Sequence, residues 1–415
     1  MNIRLGIVFL FSFAIIIAGC DFEWTPSVKI DREWHRQSLL NGHLSHWLAA
    51  SPTPDGYLNP VFTRHWRPIA KPSSTLTQQS RIIYTFAIGY KLTGDKRYLK
   101  AAVNGADFLF QYFRDPIYGG WFQAVSPDGK PTDESKDTYG HAFAIFAMAH
   151  LYSVTQDPRY RDAGIETWRV LRSKMRDTLG GFRINSPRNF DMVKDNRRQN
   201  PVMHLFEAML ALYVATGSDE AFAGTDSIGN FVIYKLLQEK EDGSAYIEEW
   251  YDENWRPSPD KTGGYIDLGH QFEWAFLFSK AGVQGMGELY PSVAQRILDY
   301  ALKVGYDEKL GGSFNRAHGE GKVDPEKGIW QQAECLRVLM HFIVMRDKTE
   351  LKPRYEQTLN YVQTEWIDTT NGGWWMKPKS ICAQSDCPNE QPDAYHMTSM
   401  HSEGIELADF QAKEK

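Results

Sequence analysis

The sequence lacks the features that mark several large classes of protein. Its 415 residues carry a net charge of -6, and no block of Lys and Arg is long enough to suggest a surface that binds nucleic acid. A glycine-rich loop of the P-loop type is also missing, so a nucleotide is not indicated. Neither nucleic acid nor a nucleotide is therefore expected as a partner.

Cysteine is scarce, with 4 residues in the whole chain. Cys335 lies within an apolar helical run and is interpreted as an ordinary core thiol. Cys382 and Cys387 lie close together in a polar loop, and we expect them to form a small disulfide loop, because an exported protein meets an oxidising compartment. A metal-binding pair is the weaker alternative, since no second pair of this kind exists to complete a site.

An apolar run near the N-terminus, residues 5–18, is too short to span a bilayer. Because it ends just before Cys20, it resembles the signal of a bacterial lipoprotein, in which the Cys is lipidated. An ordinary signal peptide with an incidental Cys is the alternative. Asp21 resembles the signal that retains such proteins at the inner membrane. The prediction is a signal peptide at 1–19, a tether at 20–30 and an exported protein lipid-anchored at the cell envelope, on the periplasmic face of the inner or outer membrane.

Internal repetition is what the sequence has in abundance. A glycine turn recurs every 61 to 68 residues, each time close to an Asp. The glycine pairs are Gly119-Gly120, Gly180-Gly181, Gly311-Gly312 and Gly372-Gly373, and the missing member falls near Asp242-Gly243. A period of this length predicts one array of helix pairs rather than several unrelated domains.

Each repeat contains one nearly all-apolar helix, a short turn and one amphipathic helix. A helix that is apolar on every side must be buried, whereas a helix with a polar face borders water, so the apolar helices are expected inside. They are predicted from Thr77 to Tyr90, Tyr139 to Tyr152 and Met203 to Val214, near His270 and Trp330, and from Ser402 to Phe410. The unpaired helix from Arg32 to Leu48 can partner the last. The expected fold is an all-α (α/α)6 barrel, a closed ring of six helix hairpins that forms a single catalytic domain over 31–412.

Polar and titratable residues occupy the first turns of the predicted inner helices, so they would meet at one mouth of the barrel. They are Arg81, Tyr139, His141, His204, Glu207, His270, Glu273, Trp330, Gln331, Glu334 and His396. Glu207 and Glu273 follow His204 and His270 by three residues, which puts each carboxylate beside an imidazole, as acid/base chemistry requires. A lone His on an apolar helix is more often a core residue, and His141 is the one most easily explained in that way.

The chain contains 13 Trp, more than its core requires. An indole ring matches the apolar face of a pyranose, so part of this excess is expected to line a sugar-binding cavity. The candidates are Trp121, Trp274, Trp330, Trp374 and Trp375, with loop packing as the alternative explanation.

Five of these polar segments resemble motifs of the N-acylglucosamine 2-epimerase family, which includes mannose isomerases, sulfoquinovose isomerase and cellobiose 2-epimerases. The segments are Gln79-Ser80-Arg81 and residues 137–143, 203–208, 269–274 and 332–334. The resemblance covers about residues 30–410. The family's fold is the (α/α)6 barrel, in agreement with the repeat.

The resemblance implies proton transfer at C2 of an open-chain aldose through a cis-enediolate. In the family two His flank this carbon, and by motif they fall on His270 and His396. The resemblance further implies that Arg81 stabilises the enediolate, that Glu273 orients His270, and that His204 assists ring opening or holds a hydroxyl. No cofactor and no metal is needed for this route.

The remaining roles implied for this chain concern the substrate, a mono- or disaccharide of the mannose, N-acylglucosamine or cellobiose type. Residues expected to bind it are Tyr139, His141, Glu207, Trp121, Trp274, Trp330, Gln331, Glu334 and Trp374. The segment around His396 departs from the cellobiose 2-epimerase pattern, since Met397 and Ser399 stand where those enzymes have Asn and Arg. The nearby His401 is therefore a second candidate for the same role.

Three other functions stay open at this point. A glycoside hydrolase or lyase on the same barrel would use two carboxyl groups, which Glu207, Glu273 and Glu334 can supply. A non-catalytic sugar-binding lipoprotein is the second. A metalloenzyme is the third, because two His-x-x-Glu pairs can chelate, although the familiar order in carboxylate bundles is the reverse.

Overall fold

The computed structural model describes residues 28–191, 197–258, 265–318, 321–383 and 387–413. The predicted signal peptide, Cys20, Asp21 and most of the predicted tether lie outside these residues. Within the described part of the chain, no helix combines the length and apolar character needed to cross a membrane.

Helices make up most of the described chain. In chain order they are α1 Arg32–Leu39, α2 Ser45–Ala50, α3 Leu76–Thr93, α4 Lys96–Phe108, α5 Thr138–Thr155, α6 Pro158–Lys174, α7 Gln199–Thr216, α8 Asp219–Phe231, α9 Leu268–Val283, α10 Tyr290–Gly305, α11 Ile329–Met345, α12 Lys352–Tyr361, α13 Lys379–Cys382 and α14 Tyr395–Lys413. Single π-helical turns at Leu40–Leu44, Leu109–Phe113, Val232–Leu236 and Val362–Trp366 continue α1, α4, α8 and α12.

Six of these helices, α3, α5, α7, α9, α11 and α14, line the inside of a ring, each packed against the next. Contacts between α14 and α3 close it, and the hydroxyls of Tyr84 and Ser399 lie 3.1 Å apart across this seam. The outer layer consists of α4, α6, α8, α10 and α12, with α1 packed on α14 as the sixth partner. The (α/α)6 barrel predicted from the repeat is confirmed.

The repeated turn has one physical basis throughout the chain. An Asp after each outer helix accepts hydrogen bonds from backbone N–H groups two or more residues later, and a glycine with positive φ follows. These residues are Asp115, Asp177, Asp242, Asp307 and Asp368. At Gly312, with φ of 74°, a Cβ would lie 2.0 Å from Gln332 Oε1, so both the backbone angle and the space require glycine. The turn returns the chain to the mouth end of the ring.

Short strands connect the outer helices back to the inner ones. They are β1 Ser74–Thr75, β2 Ala124–Val125, β3 Pro131–Asp133, β4 Lys136–Asp137, β5 Asn185–Ser186, β6 Arg197–Arg198, β7 Leu237–Glu239, β8 Ala245–Ile247, β9 Trp250–Tyr251, β10 Tyr265–Asp267 and β11 Arg316–His318. The antiparallel pairings are β1-β2-β3, β4-β5, β6-β9, β7-β8 and β10-β11. Because each strand lies at the N-terminal end of an inner helix, they build the rim of one mouth.

The last inner helix differs from its predicted bounds. It begins at Tyr395 rather than near Ser402. Its first two turns bury polar side chains, among them Thr398 and Ser399, against the other inner helices. A search for apolar runs therefore misses them. Cys382 and Cys387 form a disulfide just before this helix, and Cys335 is a buried free thiol.

Candidate active site

A cavity of about 420 Å³ opens at the mouth formed by the N-terminal ends of the inner helices. Its lining brings together residues from all six inner helices and from the rim strands and loops. They are Arg81, Tyr139, Arg198, Asn200, His204, Tyr265, Asp267, His270, Glu273, Arg316, Ile329, Trp330, Met376, Pro392, Asp393, His396 and Met397. Cavities of this size accommodate small polar ligands.

His270 is fixed in the first turn of α9 by the cap of that helix. The carboxylate of Asp267 accepts hydrogen bonds from the backbone N–H groups of Gly269 and His270. The imidazole Nδ1 lies 2.8 Å from Glu249 Oε1, and Nε2 lies 3.2 Å from the side-chain amide of Asn200. Both ring nitrogens are therefore held, one by a rim loop that carries Glu249 and the other by Asn200 in the first turn of α7.

The charges around His270 favour its imidazolium form. Burial opposes that form, but the negative charges of Glu249 and Asp267 outweigh burial, so the pKa of His270 is raised above the ordinary 6.5. Burial also raises the pKa of the Asp267 carboxyl, to about 6. His270 is thus suited to hold a proton near neutral pH.

His396, in the first turn of α14, has the opposite bias. Its Nδ1 lies 2.8 Å from Glu334 Oε1, and Glu334 in turn accepts a 3.2 Å hydrogen bond from Arg337 Nη1. Burial lowers the pKa of His396, and the hydrogen bond to Glu334 only partly offsets that effect. Because burial outweighs the charge of Glu334, and the positive charge of Arg81 acts in the same direction as burial, His396 tends to be neutral where His270 tends to be charged.

The indole of Trp330 lies close to both imidazoles. Its ring centre is 5.0 Å from that of His270 and 5.2 Å from that of His396. A flat apolar surface therefore borders both titratable groups, as expected for a site that stacks on a sugar ring.

Arg81 supplies a permanent positive charge to the cavity. Its Nη2 donates a 2.7 Å hydrogen bond to Tyr139 Oη, and Nη1 lies 3.4 Å from Asp393 Oδ2. The guanidinium also lies over the rings of Phe143 and Tyr395, at 4.2 and 4.7 Å. Burial opposes its charge, but Tyr139 and Asp393 more than offset this and raise the pKa of Arg81 above its ordinary value. The cavity therefore offers a fixed cation to a developing oxyanion.

His204 and Glu207 form a second buried pair deeper in the barrel. His204 Nδ1 lies 3.1 Å from Glu207 Oε2, and the same oxygen accepts a hydrogen bond from Tyr395 Oη. Burial lowers the pKa of His204 to about 4, so this imidazole is neutral near pH 7. It can donate or accept a hydrogen bond at the cavity, but it is a poor source of a proton.

Glu273 occupies a different position from the one expected for it. It does not hold His270, which is hydrogen-bonded to Glu249 instead, and its Oε1 lies 4.0 Å from His204 Nδ1. Neither carboxyl oxygen has a hydrogen-bond partner among the described residues. Burial and the nearby charges of Glu334 and Glu207 raise its pKa well above the ordinary 4.5. The raised pKa favours the protonated form of the Glu273 carboxyl, and Glu249 takes the place expected for Glu273 beside His270.

Two groups of buried side chains in this site have the donor types and proximity needed to hold a metal ion. They are His204, Glu207 and Glu273, and Glu273, Glu334 and His396, with donor atoms within 4.8 Å of one another in each group. Glu273 belongs to both. A chelation experiment would test whether the activity depends on a metal ion held by these donors.

Several residues predicted to bind substrate lie elsewhere. His141 is fully buried and donates from Nδ1 to the carbonyl of Asp137, while Nε2 accepts from the backbone N–H of Trp121. The indole N–H of Trp121 donates a hydrogen bond to the hydroxyl of Thr167 in the outer helix α6. Both are structural, because their hydrogen bonds connect a rim loop to helices rather than reach the cavity.

Three further predictions of direct contact are not met. Trp274 is fully buried and donates to Gln199 Oε1, so it supports the cavity from behind. Trp374 packs near His401, with ring centres 6.2 Å apart, and Gln331 is buried beside Gly269 and Gly328. None of the three is among the residues that line the cavity.

His401 points away from the site. Its Nδ1 lies 3.1 Å from His35 Nδ1, in the interface between α14 and the outer helix α1. A residue five positions after His396 falls on the opposite side of an α-helix. The structure therefore places His396, rather than His401, at the cavity.

Sequence reasoning missed most of the rim. Glu249 lies between β8 and β9, Arg316 belongs to β11, and Arg198 belongs to β6 directly before α7, so none of the three lies within an inner helix. One missed residue had a usable signal: Asn200 lies one turn before His204, at the same repeat phase as the other polar anchors. The strand residues had none, because their positions depend on how the loops fold over the mouth.

The comparisons with known proteins agree with this geometry. The profile of the family described as N-acylglucosamine 2-epimerase (GlcNAc 2-epimerase) matches residues 56–399. The chain belongs to this family. A mannose-6-phosphate isomerase of Rhizobium meliloti (strain 1021) is 29% identical over 283 residues, which cover 67% of this chain and 70% of that protein. A cellobiose 2-epimerase of Eubacterium cellulosolvens is 25% identical over 319 residues, covering 72% and 78%.

Solved structures share the fold. A crystal structure of D-mannose isomerase superposes with a TM-score of 0.82 at 21% identity, covering 90% of this chain and 97% of that one. Taken with the family match, the protein is a sugar epimerase or isomerase of the N-acylglucosamine 2-epimerase family.

Proposed function

We propose that this family member interconverts free aldoses at C2 by proton transfer through a cis-enediolate, with His270 and His396 as the acid/base pair. One observation carries the proposal: two imidazoles border the same cavity, each 2.8 Å from its own buried carboxylate, and Trp330 lies next to both. A pair with opposite pKa shifts provides one proton acceptor and one proton donor at the same pH.

The proposed reaction starts from the open-chain sugar. Neutral His396 takes the proton from C2, and the C2–H electron pair shifts to form the C1–C2 double bond while negative charge develops on the C1 oxygen. Arg81 stabilises that charge. The imidazolium of His270 then delivers a proton to the other face of C2 as the C1 carbonyl re-forms, which gives the epimer. Alternatively a proton returns to C1 while the O2 hydroxyl proton passes to O1 and the C2 carbonyl forms, which gives the ketose. The two imidazoles exchange roles in the reverse direction.

We propose a neutral mono- or disaccharide of the mannose, N-acylglucosamine or cellobiose type as the substrate. The stacking surface of Trp330 and the hydrogen-bonding groups of Asn200, Tyr139 and His204 suit a ring with hydroxyls on its rim. The names of two relatives, a cellobiose 2-epimerase and a D-mannose isomerase, support the same class.

Solvent exchange tests the enediolate route directly. The protein is incubated in deuterated water with mannose, N-acetylmannosamine, cellobiose or mannobiose, and product and label position are determined by NMR. We expect deuterium at C2 of an epimer or at C1 of a ketose, because the abstracted proton mixes with solvent through the imidazoles. Complete retention of the original hydrogen would instead indicate a hydride shift.

A glycoside hydrolase remains the second candidate, because it would use carboxyl groups on the same barrel. Glu207 and Glu334 are each hydrogen-bonded to a His, which leaves them poorly placed to face a glycosidic bond. Release of new reducing ends from mannobiose or cellobiose would favour hydrolysis. The same assay after exhaustive chelation tests whether the activity requires a metal ion held by Glu273 and its neighbours.

Glu249 is proposed as a positioning residue for His270. In Glu249→Gln the charge that raises the pKa of His270 is lost while burial remains, so that pKa falls. The imidazolium then persists only to lower pH, so the alkaline limb of the kcat/KM profile should move to lower pH. The adjacent Glu248→Gln is the matched control, since Glu248 makes no hydrogen bond to His270 in the described structure. Equal profiles for both variants would assign Glu249 a purely structural role.

We also propose that the protein is exported and lipid-anchored through Cys20. The support is the sequence pattern alone, an apolar run at residues 5–18 that ends just before this Cys.

A further inference from the structure

A second cavity opens at the end of the barrel opposite to the mouth, and we call it the basal cavity. Its volume is about 440 Å³, close to the 420 Å³ of the mouth cavity, and all six inner helices contribute to its wall. Lys91, Val214 and Gln284, at the C-terminal ends of α3, α7 and α9, line it. No described residue lines both cavities. The basal cavity therefore has the size of a small-molecule site but lies outside the candidate active site.

The two cavities are separated by a thin partition of side chains. Tyr395 is fully buried and packs against His204 on the mouth side and Phe146 on the basal side, with ring centres 6.0 and 5.9 Å away. Glu207 lines the basal cavity, and its Oε2 lies 3.1 Å from His204 Nδ1. Glu207 and Tyr395 therefore belong to the floor that the basal cavity shares with the mouth.

Two charged side chains that line the basal cavity have hydrogen-bonding atoms without partners. Glu207 is 5% exposed and Arg337 is 6% exposed. Among the described residues, Glu207 Oε1 accepts no hydrogen bond and Arg337 Nε donates none, although Arg337 Nη2 lies 3.9 Å from that oxygen. Because an unpaired buried donor or acceptor is costly, a ligand that supplies these hydrogen bonds would gain affinity from them.

His150 adds a neutral polar group to the same wall. Its ring lies against those of Tyr84 and Phe146, with ring centres 4.6 and 4.5 Å away. Burial lowers the pKa of His150 to about 3, so the imidazole is neutral near pH 7. A neutral imidazole has one nitrogen that donates and one that accepts a hydrogen bond, which matches the two capacities of a hydroxyl.

The charges that line the basal cavity balance and are already paired. The cations are Lys91, Lys280 and Arg337, and the carboxylates are Glu207, Glu403 and Glu406. Lys91 lies 2.7 Å from Glu406, and Lys280 lies 2.7 Å from Glu403. A charged ligand would have to displace one of these partners, whereas a neutral ligand leaves them in place.

We propose that the basal cavity is a second binding site, for a neutral polyhydroxy molecule of about the size of a monosaccharide. Glu207 Oε1 accepts a hydrogen bond from a hydroxyl of this ligand, Arg337 Nε donates one, and His150 does either. The apolar side chains of Leu210, Ala211 and Phe276, which also line the cavity, contact the C–H groups of the ligand. This site is separate from the proposed chemistry at C2 and does not depend on it.

Sorbitol and gluconate are matched probes for this site. They share a carbon chain with several hydroxyls, but gluconate carries a negative charge, and neither has the aldehyde that the proposed reaction requires. We expect isothermal titration of the native protein to give a Kd for sorbitol of about 1 mM, and binding of gluconate weaker by about tenfold or more.

Variants at the two ends of the barrel locate the bound sorbitol. Ala211→Phe fills the basal cavity and is expected to weaken sorbitol binding by about tenfold or more. Trp330→Ala changes only the mouth cavity and should leave this Kd within about twofold. His150→Leu removes one polar partner and should weaken binding by about fivefold, so it replaces Ala211→Phe if that variant does not fold by circular dichroism.

Three results would overturn the second site. Sorbitol that shows no binding up to about 100 mM would mean that the cavity holds only solvent. Equal affinity for gluconate would contradict the argument from paired charges. Binding lost in Trp330→Ala but kept in the folded basal variants would place the sorbitol in the mouth. Because sugar conversion is not measured in any of these titrations, a failure of the proposed function does not affect them.

Discussion

Replacing either His270 or His396 with Gln is expected to lower kcat for sugar interconversion by about 100- to 10,000-fold, the usual contribution of a positioned acid or base. Each imidazole is held by one buried carboxylate, Glu249 or Glu334, and no other described imidazole lines the cavity except His204. His204 is poorly suited to replace either, because its lowered pKa, about 4, makes it a weak proton acceptor and leaves it without a proton to give near neutral pH. Steady-state rates with the best substrate measure the effect.

His401→Gln is the matched control for this pair. His401 is on the same helix as His396, but it contacts His35 in the interface with α1. We expect the thermal midpoint of this variant to fall while kcat stays within a few-fold of the native value. The assignment would be wrong if His396→Gln kept most of its activity and a folded His401→Gln did not.

Replacing Arg81 with Gln is expected to lower kcat by about 100- to 1,000-fold, with a smaller change in KM. The guanidinium is fully charged and held by Tyr139 and Asp393, so it meets the oxyanion without rearranging. Because the charge on oxygen develops only during the reaction, its stabilisation acts on the transition state more than on the bound sugar.

Arg81→Lys separates charge from geometry. Lysine keeps the charge but loses the planar fork that contacts Tyr139 and Asp393 together, so an intermediate rate is expected. The proposed role would be contradicted if Arg81→Gln raised KM alone and left kcat intact, since that result describes ground-state binding. Circular dichroism shows whether both variants keep the helical fold.

The repeat made the fold predictable because every unit satisfies the same local rules. An Asp such as Asp307 closes each turn through backbone N–H groups, and a glycine such as Gly312 supplies the positive φ that follows. These are interactions between near neighbours, which a sequence displays directly. The sequence did not predict where α14 begins, because the first turns of this helix bury polar residues such as Ser399, and a pattern of apolar residues does not include them.

The candidate site was predictable only where a residue belongs to an inner helix. Arg81, His204, His270 and His396 follow from the phase of the repeat, and the structure brings all four to one cavity. His141 shares that phase, yet its ring turns to the backbone of Trp121 instead. The position of a residue in the helical repeat predicts which way its side chain points, but not which group that side chain contacts.

The sequence by itself determined the barrel, the family and the mouth at which the polar residues gather, because periodicity and turn chemistry are local. Only the tertiary structure decided which carboxylate serves which imidazole. Glu249 reaches His270 from a loop 21 residues earlier, and Glu334 reaches His396 from a neighbouring helix 62 residues away. Such pairings depend on distances across the folded cavity, and those distances set the opposite pKa shifts of the two imidazoles.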